Sequence, residues 1–266
     1  MYKIGFIGGG NMASAIVKGL ISQNEFTHDD VIVSVKQAES LSRIEKTLQV
    51  HATRNNLEVV KNSNIIVLAV KPHLIGSVLS ETAHLFTDTQ IIISIAAGVT
   101  LDQLENQIPK GKIFRAMPNT PAAVNAGMTS ICSNIQVSDT SYETVKRIFN
   151  AIGASAVIEE RLMHAAIAVH GSSPAYVYMM IEAMGDAGVL LGLPRQEAYR
   201  MAAQTVMGSA KMFLDLDLHP GALKDQVTSP GGTTIEAVST LESNGFRNAL
   251  IEAMKAAANK SIQMSS

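Results

Sequence analysis

Six residues near the start of the chain limit its choice of fold most. They are Gly8-Gly9-Gly10-Asn11-Met12-Ala13, directly behind the apolar run 3–7. The spacing is G-x-G-x-x-A. In such a loop the first glycine makes the tight turn out of a strand. The second lets the backbone approach a pyrophosphate, and a small third residue lets the next helix pack on the sheet. The start of that helix presents unpaired N–H groups to the phosphates. A glycine-rich strand–helix turn with no ligand would look the same in isolation. Its position at the head of a βα series favours a dinucleotide site.

That series continues to about residue 158. Short apolar runs at 3–7, 31–35, 64–70, 91–95, 112–116, 128–132 and 154–158 alternate with helix-compatible stretches at 11–24, 38–49, 74–86, 100–107 and 139–151. Several runs are apolar throughout and rich in Ile and Val, as in parallel strands buried on both faces. The expected fold class is α/β, an N-terminal Rossmann-type doubly wound sheet. After Glu159-Glu160 the texture changes. No strand is evident, and helices are expected at 161–192, 195–216, 220–227, 233–243 and 245–262. The expected domains are therefore 1–160, binding NAD(P), and 161–266, all-α. A chain of 266 residues that is 47% apolar and 17% charged can build two modest cores.

Composition also excludes classes. One cysteine, Cys132, cannot form an intrachain disulfide and points to a reducing compartment. The 21 basic and 23 acidic residues provide no broad field for nucleic acid. No apolar run reaches the roughly 18–20 residues that span a bilayer, and the first segment lacks the apolar core of a signal peptide. A soluble, cytoplasmic protein is expected, with no nucleic-acid or membrane partner. The seven histidines have no zinc-like spacing, so no metal is expected. Cys132, in an apolar run, reads as core.

The second strand bears on the choice of cofactor. An NAD site usually has a carboxylate there for the ribose hydroxyls. Ser34-Val35-Lys36-Gln37 has none. Ser34 can donate a hydrogen bond and Lys36 can neutralise a 2′-phosphate, which favours NADPH over NADH; Lys36 could equally be one more solvated lysine. Ala69-Val70-Lys71-Pro72 and Ala96-Ala97-Gly98 follow two further strands, where small residues leave room for a nicotinamide riboside. Arg115-Ala116-Met117-Pro118-Asn119-Thr120-Pro121 is a stiff polar loop, able to present amides or simply to turn. In the helical half, Ser229-Pro230-Gly231-Gly232-Thr233-Thr234-Ile235-Glu236 fits a capping box with Thr233 as N-cap and Thr234 as the first helical residue. The bare helix start behind two glycines suits a small carboxylate; an ordinary capped helix is the alternative.

These residues, in this order, resemble the pyrroline-5-carboxylate reductase family over essentially the whole chain. The most specific stretch runs from His219-Pro220-Gly221 through Leu223-Lys224-Asp225 to Ser229-Pro230-Gly231-Gly232-Thr233-Thr234, then Leu241-Glu242-Ser243. The resemblance implies reduction of (S)-1-pyrroline-5-carboxylate to L-proline with NADPH, or NADH. It places the cofactor at Ile7, Gly8, Gly9, Gly10, Asn11 and Met12, at Ser34, Val35 and Lys36, and at Asn56. Further cofactor residues are Ala69, Val70, Lys71 and Pro72, with Ala96, Ala97, Gly98 and Asn119. It sets the substrate against Glu160, Ser229, Gly231, Gly232, Thr233 and Thr234, with the Thr234 hydroxyl on the ring nitrogen as the catalytic group. It also implies a homodimer interlocked through the C-terminal helices, with a shared site and in many members assembly to a decamer.

Two departures stand out: His170-Gly171-Ser172-Ser173 where the family reads S-G-S-G, and Gln226 where Asn is common. His170 could donate a proton or pack within its helix. A β-hydroxyacid dehydrogenase of the same layout would place a lysine in 161–192, which has none. A cofactor-binding regulator would not need the loop 229–234.

Overall fold

The computed structural model describes residues 1–134 and 137–265. By contacts the chain divides into Met1–Gly171 with Ala257–Ser266, and Ser172–Ala256. Segment 161–171 thus packs with the sheet-bearing unit.

The first unit is built on a sheet of order β3-β2-β1-β4-β5-β6-β7-β8. Its strands are β1 (Tyr2–Ile7), β2 (Val31–Ser34), β3 (His51–Thr53), β4 (Ser63–Leu68), β5 (Ile91–Ser94), β6 (Lys112–Pro118), β7 (Gly127–Ser133) and β8 (Gly153–Val157). The helices are α1 (Asn11–Ser22), α2 (Ala38–Leu48), α3 (Asn56–Asn62), α4 (Ile75–Thr82), α5 (Leu101–Glu105) and α6 (Asp139–Asn150). The uniformly apolar strands are explained by two cores. Ile4, Phe6, Val33, Val67 and Ile93 face one side, and Ile7, Ile32, Ile66, Leu68 and Ile92 the other. Burying both faces leaves no polar period to read.

Two elements escape the apolar pattern. Strand β3 is His-Ala-Thr, too short and polar to stand out. Helix α3 starts at a side-chain cap, with Asn55 accepting from the Leu57 N–H at 3.0 Å. The sheet also departs from all-parallel order: β7 runs antiparallel to β6, and β8 follows β7. Only residues 119–126 join β6 to β7, too few for the crossover of roughly a dozen residues that parallel pairing needs.

The expected single helix 161–192 is broken. A short α7 (Met163–Ala166) passes into a π-helical turn, Ile167–Gly171, before α8 (Ser173–Leu190). Pro174, in the first turn of α8, has no N–H to continue a ladder. The second unit holds α8, α9 (Arg195–Leu216), α10 (Pro220–Gln226), α11 (Thr233–Ser243) and most of α12 (Phe246–Gln263). Its buried residues are Gly185, Ala198 and Ala202, while Tyr178, Met179, Met207, Leu214 and Ile251 are exposed. Apolar exposure on this scale marks an interaction surface.

Candidate active site

The carboxyl ends of β1 to β5 lie in register. Ile7 pairs with Ser34 and Leu68, Ser34 with Thr53, and Leu68 with Ser94. The strand order reverses between β1 and β4, where open α/β sheets bind ligands. Gly8 leaves β1 with φ +106°, and a Cβ there would meet the Ala69 carbonyl at 2.6 Å. Gly10 is the extended N-cap of α1, with no side-chain cap and with open space where a Cβ would be. Ala13 is buried beneath it. The first-turn N–H groups of α1 therefore face an open cradle shaped for phosphates.

The second strand end differs from expectation in detail. Ser34 is 1% exposed. Its hydroxyl donates to Asn56 Oδ1 at 2.7 Å, and Asn56 Nδ2 donates to Glu81 Oε2 at 3.0 Å. Two residues expected at the cofactor thus hold each other and fasten β2 to α3. Val35 is buried and Lys36 exposed. Two cations missing from the sequence reading lie here. Arg43 Nη2 donates to the Gly9 carbonyl at 2.6 Å, and Arg54 Nε to the Lys36 carbonyl at 3.2 Å. Arg54 could not be placed without recognising β3, and the reach of Arg43 to Gly9 spans 34 positions that no local pattern joins. At the next strand ends, Lys71 caps the turn that starts at Pro72, and Gly98 turns the loop behind β5 at φ +80°.

The Asn119 amide is also engaged. Its Nδ2 donates to the His170 carbonyl at 2.9 Å, and its Oδ1 accepts the Met128 N–H at 2.8 Å. His170 Nε2 lies 2.7 Å from Ser130 Oγ, and burial pulls its pKa below the usual imidazole value. Of the two readings of His170, this geometry matches packing. Glu160 Oε1 accepts from Arg115 Nη1 at 2.9 Å and from the Leu101 N–H at 2.8 Å. Arg115 is 1% exposed in the middle of a strand whose one other charge, Lys112, stands at its start; a charge inside such a run was the overlooked signal. Cys132 lies opposite it across β6 and β7. Burial first, then the Glu160 charge, pushes its thiol up to about 12.

In the second unit the expected capping box does not form. Helix α11 begins at Thr233, and its N-cap is Gly232, extended at φ −84° and ψ 171° with no side-chain cap. Gly232 N–H closes a turn onto the Ser229 carbonyl at 3.1 Å, behind Gly231 at φ +68°. A Cβ on Gly232 would lie 2.5 Å from Ser229 Oγ, so a larger residue here requires the Ser229 side chain to turn away. The frame shifts by one: Thr233 and Thr234 are the first two helical residues. Thr233, already in the helix, cannot reach back to cap. The first-turn N–H groups of α11 are therefore uncapped by side chains, a stronger anion site than the box would leave. Upstream, His219 caps α10, its Nδ1 accepting the Gly221 N–H at 3.0 Å.

Among the described residues, no group of three His, Cys, Asp or Glu could hold a metal ion, and no helix is long and apolar enough to cross a membrane.

Comparison with known proteins follows the same division. Residues 160–264 match the family model for pyrroline-5-carboxylate reductase dimerisation, and residues 3–98 match that for NADP oxidoreductase, coenzyme F420-dependent. The chain is 49% identical over 264 residues to the pyrroline-5-carboxylate reductase of Escherichia coli (strain K12), covering 99% of this chain and 98% of that protein. Its structure is similar to a pyrroline-5-carboxylate reductase from Coxiella burnetii, with TM-score 0.94, 37% identity and coverage of 100% and 99%. It is also similar to the Plasmodium falciparum pyrroline carboxylate reductase solved with NADP bound, with TM-score 0.88, 35% identity and coverage of 100% and 98%.

Proposed function

The chain belongs to the pyrroline-5-carboxylate reductase family, and on that footing we propose how its own residues carry the reaction: it reduces (S)-1-pyrroline-5-carboxylate to L-proline with NADPH. Reducing the C=N bond requires a hydride on carbon and a proton on nitrogen. When bound, NADPH supplies the hydride. The open cradle at Gly8, Gly9 and Gly10 fits its pyrophosphate, and residues 11–12, 34–36, 69–72 and 96–98 line the strand ends where the rest would lie. Ser34, Asn56 and Asn119 serve this site by holding its walls.

The observation that carries the assignment of residues is the uncapped start of α11. Its N–H groups and positive dipole end take the substrate carboxylate through Gly231, Gly232 and Thr233, behind the turn closed at Ser229. The Thr234 hydroxyl then hydrogen-bonds the ring nitrogen and delivers its proton, directly or through water. A hydroxyl is a weak acid, so its contribution sits near the lower end of the ~10²–10⁴-fold range for proton transfer. The family resemblance adds Glu160 to the substrate residues, and in this chain its carboxylate is held by Arg115 and the Leu101 N–H.

The C-terminal helices carry the dimerisation region of the family. Homodimers assembling to a decamer, within the cytoplasm, complete the proposal; sedimentation of the purified chain tests the assembly. For the reaction, NADPH consumption is measured with 1-pyrroline-5-carboxylate and, in the oxidative direction, with small hydroxyacids. Turnover on the imine alone supports the reading. Turnover on hydroxyacids alone, or none, overturns it.

A further inference from the structure

Most arginines of this chain are spoken for. Arg115, Arg147, Arg161, Arg195, Arg200 and Arg247 each pair with a carboxylate. The other two, Arg43 and Arg54, have no ion pair among the described residues; Arg43 lies on α2, the helix that follows β2, and Arg54 just behind β3, the strand beside it. Each has a carboxylate four residues away. Glu39 precedes Arg43 on α2 at the spacing that favours a helix ion pair, yet Arg43 reaches the Gly9 carbonyl instead. Glu58 follows Arg54, but it is taken by Thr53 Oγ1 at 2.6 Å and His51 Nε2 at 3.3 Å.

The positions have a shared geometry. Arg43 spans from α2 to the phosphate loop, where Gly9 packs against Val35. Arg54 leaves β3 beside β2 and touches the backbone of Lys36. The space between the loop and the end of β2 is where a dinucleotide fold meets the adenosine ribose. No carboxylate lies in Ser34-Val35-Lys36-Gln37 to receive a 2′-hydroxyl, and the Ser34 hydroxyl is spent on Asn56. Among the described residues, Lys36, Arg43 and Arg54 have no ion pair, and the two arginines bind the carbonyls of Gly9 in the phosphate loop and of Lys36 behind β2.

We propose that Arg43 and Arg54, with Lys36, form the binding site for the 2′-phosphate of NADPH. A guanidinium can meet a phosphate dianion with two parallel N–H donors, and two of them from different elements would hold it from both sides. Arg43 then has a double task, since its bond to Gly9 also steadies the phosphate loop. The proposal rests on the NADPH reading above and concerns selectivity alone.

The test uses fragments that differ only in the phosphate in question: 2′,5′-ADP and ADP, titrated into the full chain by calorimetry. The unaltered protein is expected to favour 2′,5′-ADP by at least roughly tenfold, and Arg54→Ala and Arg43→Ala each to reduce that preference by roughly tenfold. Arg54→Lys retains part of it. Lys46→Ala, which removes an exposed cation elsewhere on α2, leaves it unchanged. The proposal is overturned if the unaltered chain binds both fragments equally, or if both alanine variants keep the preference within about twofold. A chain that shows this loss of preference but does not turn over the imine would retain the phosphate site and lose the reductase reading; the reverse result would separate them the other way.

Discussion

Arg115 Nη1 donates to Glu160 Oε1 at 2.9 Å, joining the middle of β6 to the segment that opens α7. The same oxygen accepts the Leu101 N–H at the start of α5. Arg115 Nε and Nη2 have no partner among the described residues, so Glu160 is the anion that balances a buried cation. Glu160→Ala leaves that cation unpaired, with an expected cost of about 3 kcal/mol. Glu160→Gln, which keeps an acceptor, is expected to lose less. Urea denaturation of the three proteins checks the order; equal midpoints would mean that the pair contributes nothing.

Gly8 and Gly10 separate folding from binding. Gly8→Ala puts a Cβ at φ +106° and against a carbonyl, which is expected to destabilise the chain by about 2 kcal/mol or more. At Gly10 a methyl group meets nothing in the protein, but it enters the phosphate cradle. Gly10→Ala is therefore expected to melt like the unaltered chain and to bind NADPH weakly. Thermal melts and dinucleotide titrations on both variants give the comparison, and matching losses of stability would contradict it.

Thr234→Ala is expected to retain NADPH binding and to lose roughly a hundredfold in turnover. Thr234→Ser restores the hydroxyl and should recover most of the loss. Single-turnover oxidation of NADPH with 1-pyrroline-5-carboxylate measures the step itself. An unchanged rate in the alanine variant would remove Thr234 from the proton transfer.

Lys36 is exposed at the end of β2. Lys36→Glu places a carboxylate where NAD-binding folds carry one. The NADPH to NADH ratio of kcat/KM is expected to fall by about tenfold. If the ratio does not move, Lys36 does not read the 2′-phosphate.

Cys132 is predicted to be inert. With its thiol at about 12, against 9.0 for an ordinary one, no thiolate forms near pH 8, and a disulfide reagent is expected to react only after denaturation. The sign for stability follows from the raised value. The contribution is fully present below about pH 9 and is lost as the pH rises through about 12, because the unfolded chain releases the proton first. Cys132→Ala is expected to flatten that alkaline loss. Rapid labelling of the native chain at pH 8 would refute the burial argument.

The sequence by itself determined the parts whose cause is local. Strands buried on both faces appear as unbroken Ile and Val runs. The turn at Gly8 requires φ above zero, and helices stop at Gly192 and restart after Pro194 for steric reasons that span a few residues. The family pattern from His219 to Ser243 was legible for the same reason, because its turns and caps are written in consecutive residues. Tertiary structure decided which polar groups were already taken. Ser34 meets Asn56 across 22 positions, Arg115 meets Glu160 across 45, and Arg43 meets Gly9 across 34. Such pairings depend on strand order, which no local pattern states. Even the α11 cap, local in sequence, lies one residue earlier than expected, at Gly232, whose N–H closes the turn onto the Ser229 carbonyl. Propensity and periodicity act through neighbours along the chain, whereas a hydrogen bond goes to whichever group the packed fold brings within about 3 Å.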